Sequence, residues 1–144
     1  MRLLRALVVE DNEADAELIC RTLEKEHGFI DIGLARDGIE ALEYLASCEP
    51  GTAKPRPDII LLDLNLPRLD GPGLLVKIRE IPDLALVPVV MLTSSDAESD
   101  IQRCYRSGAN CYVLKPIGLK SYRDAIQAIE AFWTRTAILP GGEV

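Results

Sequence analysis

Short runs of apolar residues, each followed by a polar residue, alternate along the chain with segments of helical periodicity. The run Ile59–Leu62 has four consecutive apolar residues, which is typical of a strand buried on both faces of a parallel sheet. The other predicted strands are Leu3–Val9, Phe29–Ala35, Val89–Leu92 with Thr93 at its end, and Cys111–Leu114. Helical patterns cover about Glu13–Glu26, Ile39–Ser47, Pro72–Arg79, Ser94–Ser107 and Leu119–Arg135.

The order of these elements, strand then helix five times over, predicts an α/β fold with a five-stranded parallel sheet and helices on both faces. Right-handed crossovers leave few topologies, and the flavodoxin-like strand order 2-1-3-4-5 fits best. In that order the switch point lies between the first and third strands. Ligands of open α/β sheets bind there, outside the carboxyl ends of the strands.

Turn and cap residues set the expected boundaries of these elements. Asn12 or Asp11 can cap the first helix, and His27-Gly28 is expected to end it, with His27 in a structural role. Glu49–Pro57 contains three prolines and one glycine, which predicts a surface loop.

Three carboxylates follow the two strands at the switch point. Glu10 and Asp11 come after the first strand and Asp63 after the third. Two unit charges about 5 Å apart repel by roughly 3 kcal/mol at an effective dielectric constant near 20. A hard divalent cation with oxygen ligands relieves this repulsion, and the lack of nearby histidine or cysteine disfavours zinc. We therefore expect Mg²⁺ at this crevice.

The remaining strand ends carry Thr93 and Lys115, each an ordinary strand-end residue when taken alone. Together with Asp63 and a metal ion they form a set that suits acyl-phosphate chemistry. In such chemistry the aspartate attacks a phosphoryl group while cations neutralise the charge on its oxygens.

Over about residues 3–135, the chain resembles the receiver domain of two-component response regulators. The motifs that carry the resemblance are Val9-Glu10-Asp11-Asn12, Asp63-Leu64-Asn65-Leu66-Pro67 with Asp70-Gly71, Leu92-Thr93-Ser94, and Lys115-Pro116. The intervals between Asp63, Thr93 and Lys115 also match those usual in the family. A chemotaxis regulator of this family is a known example of the predicted strand order.

The resemblance implies a role for each residue of the crevice. Asp63 corresponds to the phosphorylated aspartate, Asp11 to a direct metal ligand and Glu10 to a ligand that acts through water. The backbone carbonyl of Asn65 would complete the Mg²⁺ site. A histidine kinase would supply the phosphoryl group, and the protein would catalyse only its own phosphorylation and dephosphorylation.

The resemblance also implies a two-state switch. Thr93 looks like the switch hydroxyl, Lys115 like the phosphate-pairing lysine and Tyr112 like the aromatic side chain that turns inward on activation. The alternative for Tyr112 is an ordinary strand tyrosine with a hydrated hydroxyl. Asn65 and Ser95 flank the expected path of the hydrolytic water.

Composition and charge limit the other function classes. The 144 residues fit one domain, and a net charge of −7 argues against a nucleic-acid partner. No stretch has the length of a transmembrane helix, so we expect a cytoplasmic protein without membrane contacts. Residues 1–135 would form the receiver and residues 136–144 a tail, which leaves signalling by contact with a downstream protein, or phosphate relay, as the output.

The last helix suggests a further interface. Tyr122, Ile126, Ile129 and Trp133 fall on one stripe that should face the sheet, whereas Phe132 and the tail residues Ile138-Leu139 extend an apolar surface. We expect a homodimer through the last helix and the tail. The alternative is a tail folded over its own core. A finer resemblance, to regulators that pair with phytochrome-type histidine kinases, rests on the loop before the third strand, the run Ala109–Tyr112 and the Phe132-Trp133 pair.

Two other classes are weighed against the switch. A phosphatase of the haloacid dehalogenase type would need a second aspartate two residues after the nucleophile, where this chain has Asn65. A pseudo-receiver that only binds partners would be expected to lack some of Asp11, Asp63, Thr93 and Lys115, and all four are present.

Overall fold

The computed structural model describes residues 3–140, which form five strands and five helices. The strands are β1 (Leu4–Val9), β2 (Phe29–Ala35), β3 (Ile59–Leu62), β4 (Val89–Thr93) and β5 (Cys111–Leu114). The helices are α1 (Glu13–Lys25), α2 (Gly38–Ala46), α3 (Gly71–Glu80), α4 (Glu98–Arg106) and α5 (Leu119–Ala131). A short 3-10 helix covers Pro82–Leu84, and a π-helical turn over Phe132–Thr136 continues α5.

The strands form one parallel sheet in the order β2-β1-β3-β4-β5, which confirms the predicted topology. Val9 pairs with Ala35 of β2 on one side and with Leu62 of β3 on the other. At the far side of the sheet, Thr93 pairs with Leu114. The carboxyl ends of the strands therefore reach the same edge, and the residue after each strand lies at that edge.

Two hydrophobic clusters cover the two faces of the sheet. On one face Leu7, Ile60 and Met91 pack with residues of α2, α3 and α4; on the other Val8 and Leu61 pack with residues of α1 and α5. Neighbours along a strand thus point to opposite faces, as the two-residue period of a strand requires. This burial on both faces explains the continuous apolar runs in the sequence.

The first helix begins at one of the two predicted caps and ends at the predicted pair His27-Gly28. The Asn12 side chain accepts a hydrogen bond from the Asp15 amide at 2.9 Å, so Asn12 is the cap. His27, not Gly28, adopts the left-handed conformation that ends the turn, with a φ of 59°. Gly28 is needed for space instead, because a Cβ there would lie 2.3 Å from Oε1 of the buried Glu130.

One helix start predicted from sequence is wrong. The fourth helix begins at Glu98 rather than at Ser94–Asp96, because the Ser95 hydroxyl donates to Asp100 Oδ2 at 2.6 Å and the chain does not turn into the helix until Ala97. The last helix extends to Thr136, close to the predicted end at Arg135, with α-helical geometry to Ala131 and π-helical geometry beyond it.

The stripe predicted for the last helix is confirmed. Tyr122, Ile126 and Ile129 are buried, and Trp133 is half-buried in the same cluster. In the tail Leu139 is buried, whereas Ile138 is 76% exposed. Within residues 3–140, each helix is too short or too polar to cross a lipid bilayer.

Candidate functional site

The site lies where the chain leaves β1, β3, β4 and β5. The residues after β1, β3 and β5 stay hydrogen-bonded to the neighbouring strand. The Glu10 amide donates to the Ala35 carbonyl at 3.0 Å, the Asp63 amide to the Val9 carbonyl at 3.1 Å and the Lys115 amide to the Thr93 carbonyl at 2.8 Å. These bonds extend the sheet by one residue. They fix the backbone from which the functional side chains project.

Three carboxylates meet at this edge. Glu10, Asp11 and Asp63 each offer a carboxylate oxygen within 4.8 Å of the other two. Glu10 and Asp63 are only 1% and 8% exposed, and Asp11 is open to solvent. Backbone amides hold the buried pair in place, since Asp63 Oδ1 accepts from Leu64 at 2.7 Å and Glu10 Oε2 from Asn12 at 3.1 Å.

The Lys115 ammonium connects this cluster to a fourth carboxylate. Its Nζ atom donates to Glu10 Oε1 at 2.5 Å, to Asp15 Oδ2 at 2.9 Å and to Asp63 Oδ2 at 3.2 Å. Sequence reasoning missed Asp15 because it searched strand ends only. The available signal was its position in the first turn of α1, the helix that directly follows the strand end with Glu10 and Asp11.

Burial and neighbouring charges shift the pKa values of Glu10 and Lys115. Burial, assisted by the Asp63 charge, raises the pKa of Glu10 to about 7 although Lys115 acts against it. Burial alone would lower the pKa of Lys115, but hydrogen bonds to Glu10 and Asp15 outweigh it and the pKa rises. Lys115 is therefore held as a cation, and the carboxylates around it carry an excess of negative charge.

This donor set fits a hard divalent cation. It presents only oxygen, from Glu10, Asp11 and Asp63, with the backbone carbonyl of the exposed Asn65 two residues beyond Asp63. A divalent cation would reduce the mutual repulsion of the carboxylates, which a single ammonium cannot neutralise.

The last two predicted residues lie at the β4 side of the site. Thr93 is fully buried, and its hydroxyl oxygen is without a hydrogen-bond partner. A buried hydroxyl in this state is costly unless an acceptor arrives. Tyr112 is half-buried, and its hydroxyl donates to the Ser95 carbonyl at 2.8 Å, so its ring is turned inward toward the start of α4.

Comparison with known proteins agrees with this geometry. Residues 6–127 match the response regulator receiver domain family. The chain is 40% identical to response regulator Rcp1 of Synechocystis sp., over 93% of this chain and 91% of that protein. It is 37% identical to a probable methanogenesis regulatory protein, FilR2, of Methanothrix harundinacea, over 94% of this chain and 86% of that protein.

Solved structures give the same result. The phosphorylated cyanobacterial phytochrome response regulator RcpA superimposes with a TM-score of 0.89 at 39% identity, covering 97% of this chain and 100% of RcpA. The Mn²⁺-bound form of Rcp1 superimposes with a TM-score of 0.83 at 41% identity, covering 96% of this chain and 99% of that one. The chain belongs to the response regulator receiver domain family.

Proposed function

We propose that this protein accepts a phosphoryl group from a histidine kinase onto Asp63 in a Mg²⁺-dependent reaction. The observation that carries the proposal is the position of Asp63. Its carboxylate lies within 4.8 Å of those of Glu10 and Asp11, which could share a cation with it, and 3.2 Å from the Lys115 ammonium. A carboxylate nucleophile between cations is the arrangement that phosphoryl transfer requires.

The transfer step involves the chain's own residues as follows. The Asp63 oxygen forms a bond to phosphorus while the phosphorus–nitrogen bond of the kinase phosphohistidine breaks, and its electron pair stays on the imidazole nitrogen. Lys115 pairs with an oxygen of the transferring group. Attack by water on phosphorus later returns the free carboxylate and releases inorganic phosphate.

Glu10, Asp11, Asp63 and the Asn65 carbonyl would hold the Mg²⁺ ion, Glu10 through water. The ion would supply positive charge next to the developing charge on the phosphoryl oxygens. The Mn²⁺-bound form of Rcp1, a relative that superimposes over 96% of this chain, supports a divalent ion in this role.

The switch uses Thr93 and Tyr112. The unpartnered Thr93 hydroxyl would donate to a phosphoryl oxygen on Asp63, and Tyr112 would hold the inward position in which it bonds to Ser95. Asn65 and Ser95 would border the approach of the hydrolytic water. The changed face of α4 and β5 would then alter contacts with a downstream protein or pass the phosphate along a relay.

The kinase would be of the phytochrome type, because RcpA is described as a phytochrome response regulator and superimposes over almost the whole chain. The protein would act in the cytoplasm, with residues 1–135 as the receiver and residues 136–144 as a tail. A phosphotransfer profile against the histidine kinases of the organism tests the partner: we expect a phytochrome-type kinase to transfer first in short incubations.

We further propose a homodimer through the last helix, including its π-helical turn Phe132–Thr136, and the tail. Phe132 is 49% exposed and lies edge-on to Trp133, and Ile138 is more exposed still. Phe132→Ser with Ile138→Ser should halve the mass measured by light scattering, whereas Val76→Ser on α3 should not. An unchanged mass in the double variant removes the dimer through this surface.

Acetyl phosphate tests the central reaction. With Mg²⁺ we expect a labile adduct of one phosphoryl group, seen by intact mass, that is absent in Asp63→Asn and present in Asp96→Asn, an exposed control. Chelation of the metal should abolish it. Turnover of other phosphomonoesters would favour a phosphatase, and no reaction would favour a binding module.

A further inference from the structure

The three bonds of the Lys115 side chain account for its whole donor capacity. An ammonium group has three N–H bonds and no acceptor. In this structure those donors go to Glu10, Asp15 and Asp63. The first two partners are closer, at 2.5 and 2.9 Å, than Asp63 at 3.2 Å. The ammonium is therefore drawn toward Glu10 and Asp15 rather than toward the proposed phosphoacceptor.

Asp15 differs from the other two partners in its surroundings. Its side chain is 28% exposed, against 2% for Glu10 and 9% for Asp63. Its backbone is held in the first turn of α1, because its amide donates a hydrogen bond to Oδ1 of the Asn12 cap. Asp15 thus holds Lys115 from a rigid helix while keeping access to water, so it loses less when the ammonium leaves.

We infer that Asp15 is a positioning residue for the proposed reaction: it restrains the Lys115 ammonium and weakens its pairing with a phosphoryl group on Asp63. This inference rests on the proposed function. Without the Asp15 carboxylate, Lys115 keeps Glu10 and turns more fully to Asp63. The phosphoryl adduct is then better neutralised and lasts longer.

The alternative role for Asp15 is a favourable interaction with the positive end of the α1 dipole, as for any acidic residue in a first turn. Glu13 provides the matched control, because it lies in the same turn, is exposed and is not bonded to Lys115 among the described contacts. Glu13→Gln removes the same charge from the same helix end. An effect seen in Asp15→Asn but not in Glu13→Gln therefore comes from the contact with Lys115.

The test has two measurements on the full chain. Nitrogen-15 NMR of the lysine side chains measures how fast the Lys115 ammonium protons exchange with water, without any phosphoryl donor. Decay of the acetyl-phosphate adduct measures its lifetime. We expect Asp15→Asn to speed the exchange and to prolong the adduct, each about 3- to 10-fold, the range of one partly exposed charged hydrogen bond. Asp15→Glu should restore part of both values.

The outcomes separate the two proposals. If Asp15→Asn matches Glu13→Gln in both exchange and lifetime, the inference about Asp15 is overturned while the phosphorylation itself stands. If the unmodified chain forms no adduct but Asp15→Asn still speeds ammonium exchange, the proposed function fails and the restraint on Lys115 is supported. Urea unfolding of each variant excludes a loss of fold as the cause.

Discussion

Two cations in this molecule are surrounded by oxygen in different ways. The Lys115 ammonium donates to carboxylates, whereas the Arg79 guanidinium at the end of α3 donates to neutral oxygens at the other end of the sheet. Its partners are the carbonyls of Leu84, Ala85, Val87 and Gly108 and the side-chain oxygen of Asn110. Burial lowers the pKa of Arg79, while the carboxylates more than offset burial at Lys115.

The difference separates a structural cation among neutral acceptors from a cation among carboxylates. The acceptors around Arg79 are neutral, so they present no negative charge for a further cation to neutralise. The guanidinium joins the loop before β4 to the turn after α4. At that turn Gly108 has a φ of 109°, and a Cβ would lie 2.9 Å from Arg79 Nε. Around Lys115 the carboxylates outnumber the cation, so the site retains negative charge that a further cation can neutralise.

The largest effect on stability is expected at the structural cation. Arg79→Met keeps an apolar stem but leaves the Gly108 and Val87 carbonyls without their side-chain donor. Since a buried unsatisfied acceptor costs about 1–3 kcal/mol, we expect the free energy of unfolding to fall by about 3 kcal/mol in urea titrations. Divalent-cation affinity should stay within about twofold, because the carboxylates remain in place.

Arg106→Met is the matched control, since Arg106 is exposed on α4 and bonds only to Gln102 among the described contacts. It should change stability by less than about 0.5 kcal/mol. A fall below about 1 kcal/mol for Arg79→Met, or a changed cation affinity, would break the distinction between the two sites.

The same contrast explains what the sequence could predict. Strands buried on both faces have continuous apolar runs, so the bounds of the third strand, Ile59–Leu62, are confirmed. The bounds of the partly exposed edge strands, Phe29–Ala35 and Cys111–Leu114, are confirmed as well. Strand-end residues follow from the topology, which is why the carboxylates and Lys115 could be placed at one edge in advance. Arg79 could not be found, because main-chain carbonyls leave no pattern in the sequence.

The missed features share a physical cause. Asp15 lies on a helix beside the site, and its role depends on where Lys115 points rather than on any strand end. Ser95 looks like a helix cap, but its hydroxyl bonds to Asp100 and the helix starts later. In both cases a side chain has several possible partners, near or distant in the sequence, and only the three-dimensional arrangement decides which one it bonds.

A smaller loss of stability, which should depend on metal, is expected at Lys115. Lys115→Met leaves Glu10 and Asp63 buried without their ammonium, and their repulsion should lower the free energy of unfolding by about 2 kcal/mol in metal-free buffer. Because Mg²⁺ would bind only the folded chain, millimolar Mg²⁺ should restore more than half of this loss. The affinity of the Lys115→Met variant for Mg²⁺ should rise about tenfold, since the competing positive charge of the ammonium is gone.

Lys120→Met on α5 serves as the control, because Lys120 is exposed and pairs with Asp124. The free energy of unfolding of the Lys120→Met variant should not change on addition of Mg²⁺. If Lys115→Met unfolds equally easily with and without Mg²⁺, the charge excess at the site is not what distinguishes Lys115 from Arg79.

The smallest effect is expected at Thr93, where the sign matters more than the size. Thr93→Val removes a buried hydroxyl that has no partner, so the free energy of unfolding should rise by up to about 1 kcal/mol. Thr22→Val is the matched change at another buried threonine, whose hydroxyl donates to the Leu18 carbonyl at 2.7 Å. That variant should lose about 1 kcal/mol, because a hydrogen bond is broken.

Urea titrations of the two valine variants, run side by side in metal-free buffer, provide the comparison. Opposite signs are expected because the Thr22 hydroxyl makes a hydrogen bond in this structure, whereas the Thr93 hydroxyl is buried without a partner. On the proposed function, a phosphoryl oxygen on Asp63 would supply that partner. Equal losses in both variants would mean that the Thr93 hydroxyl already has an acceptor in the resting chain. Thr93 would then belong with Arg79, among the groups that hold the fold together.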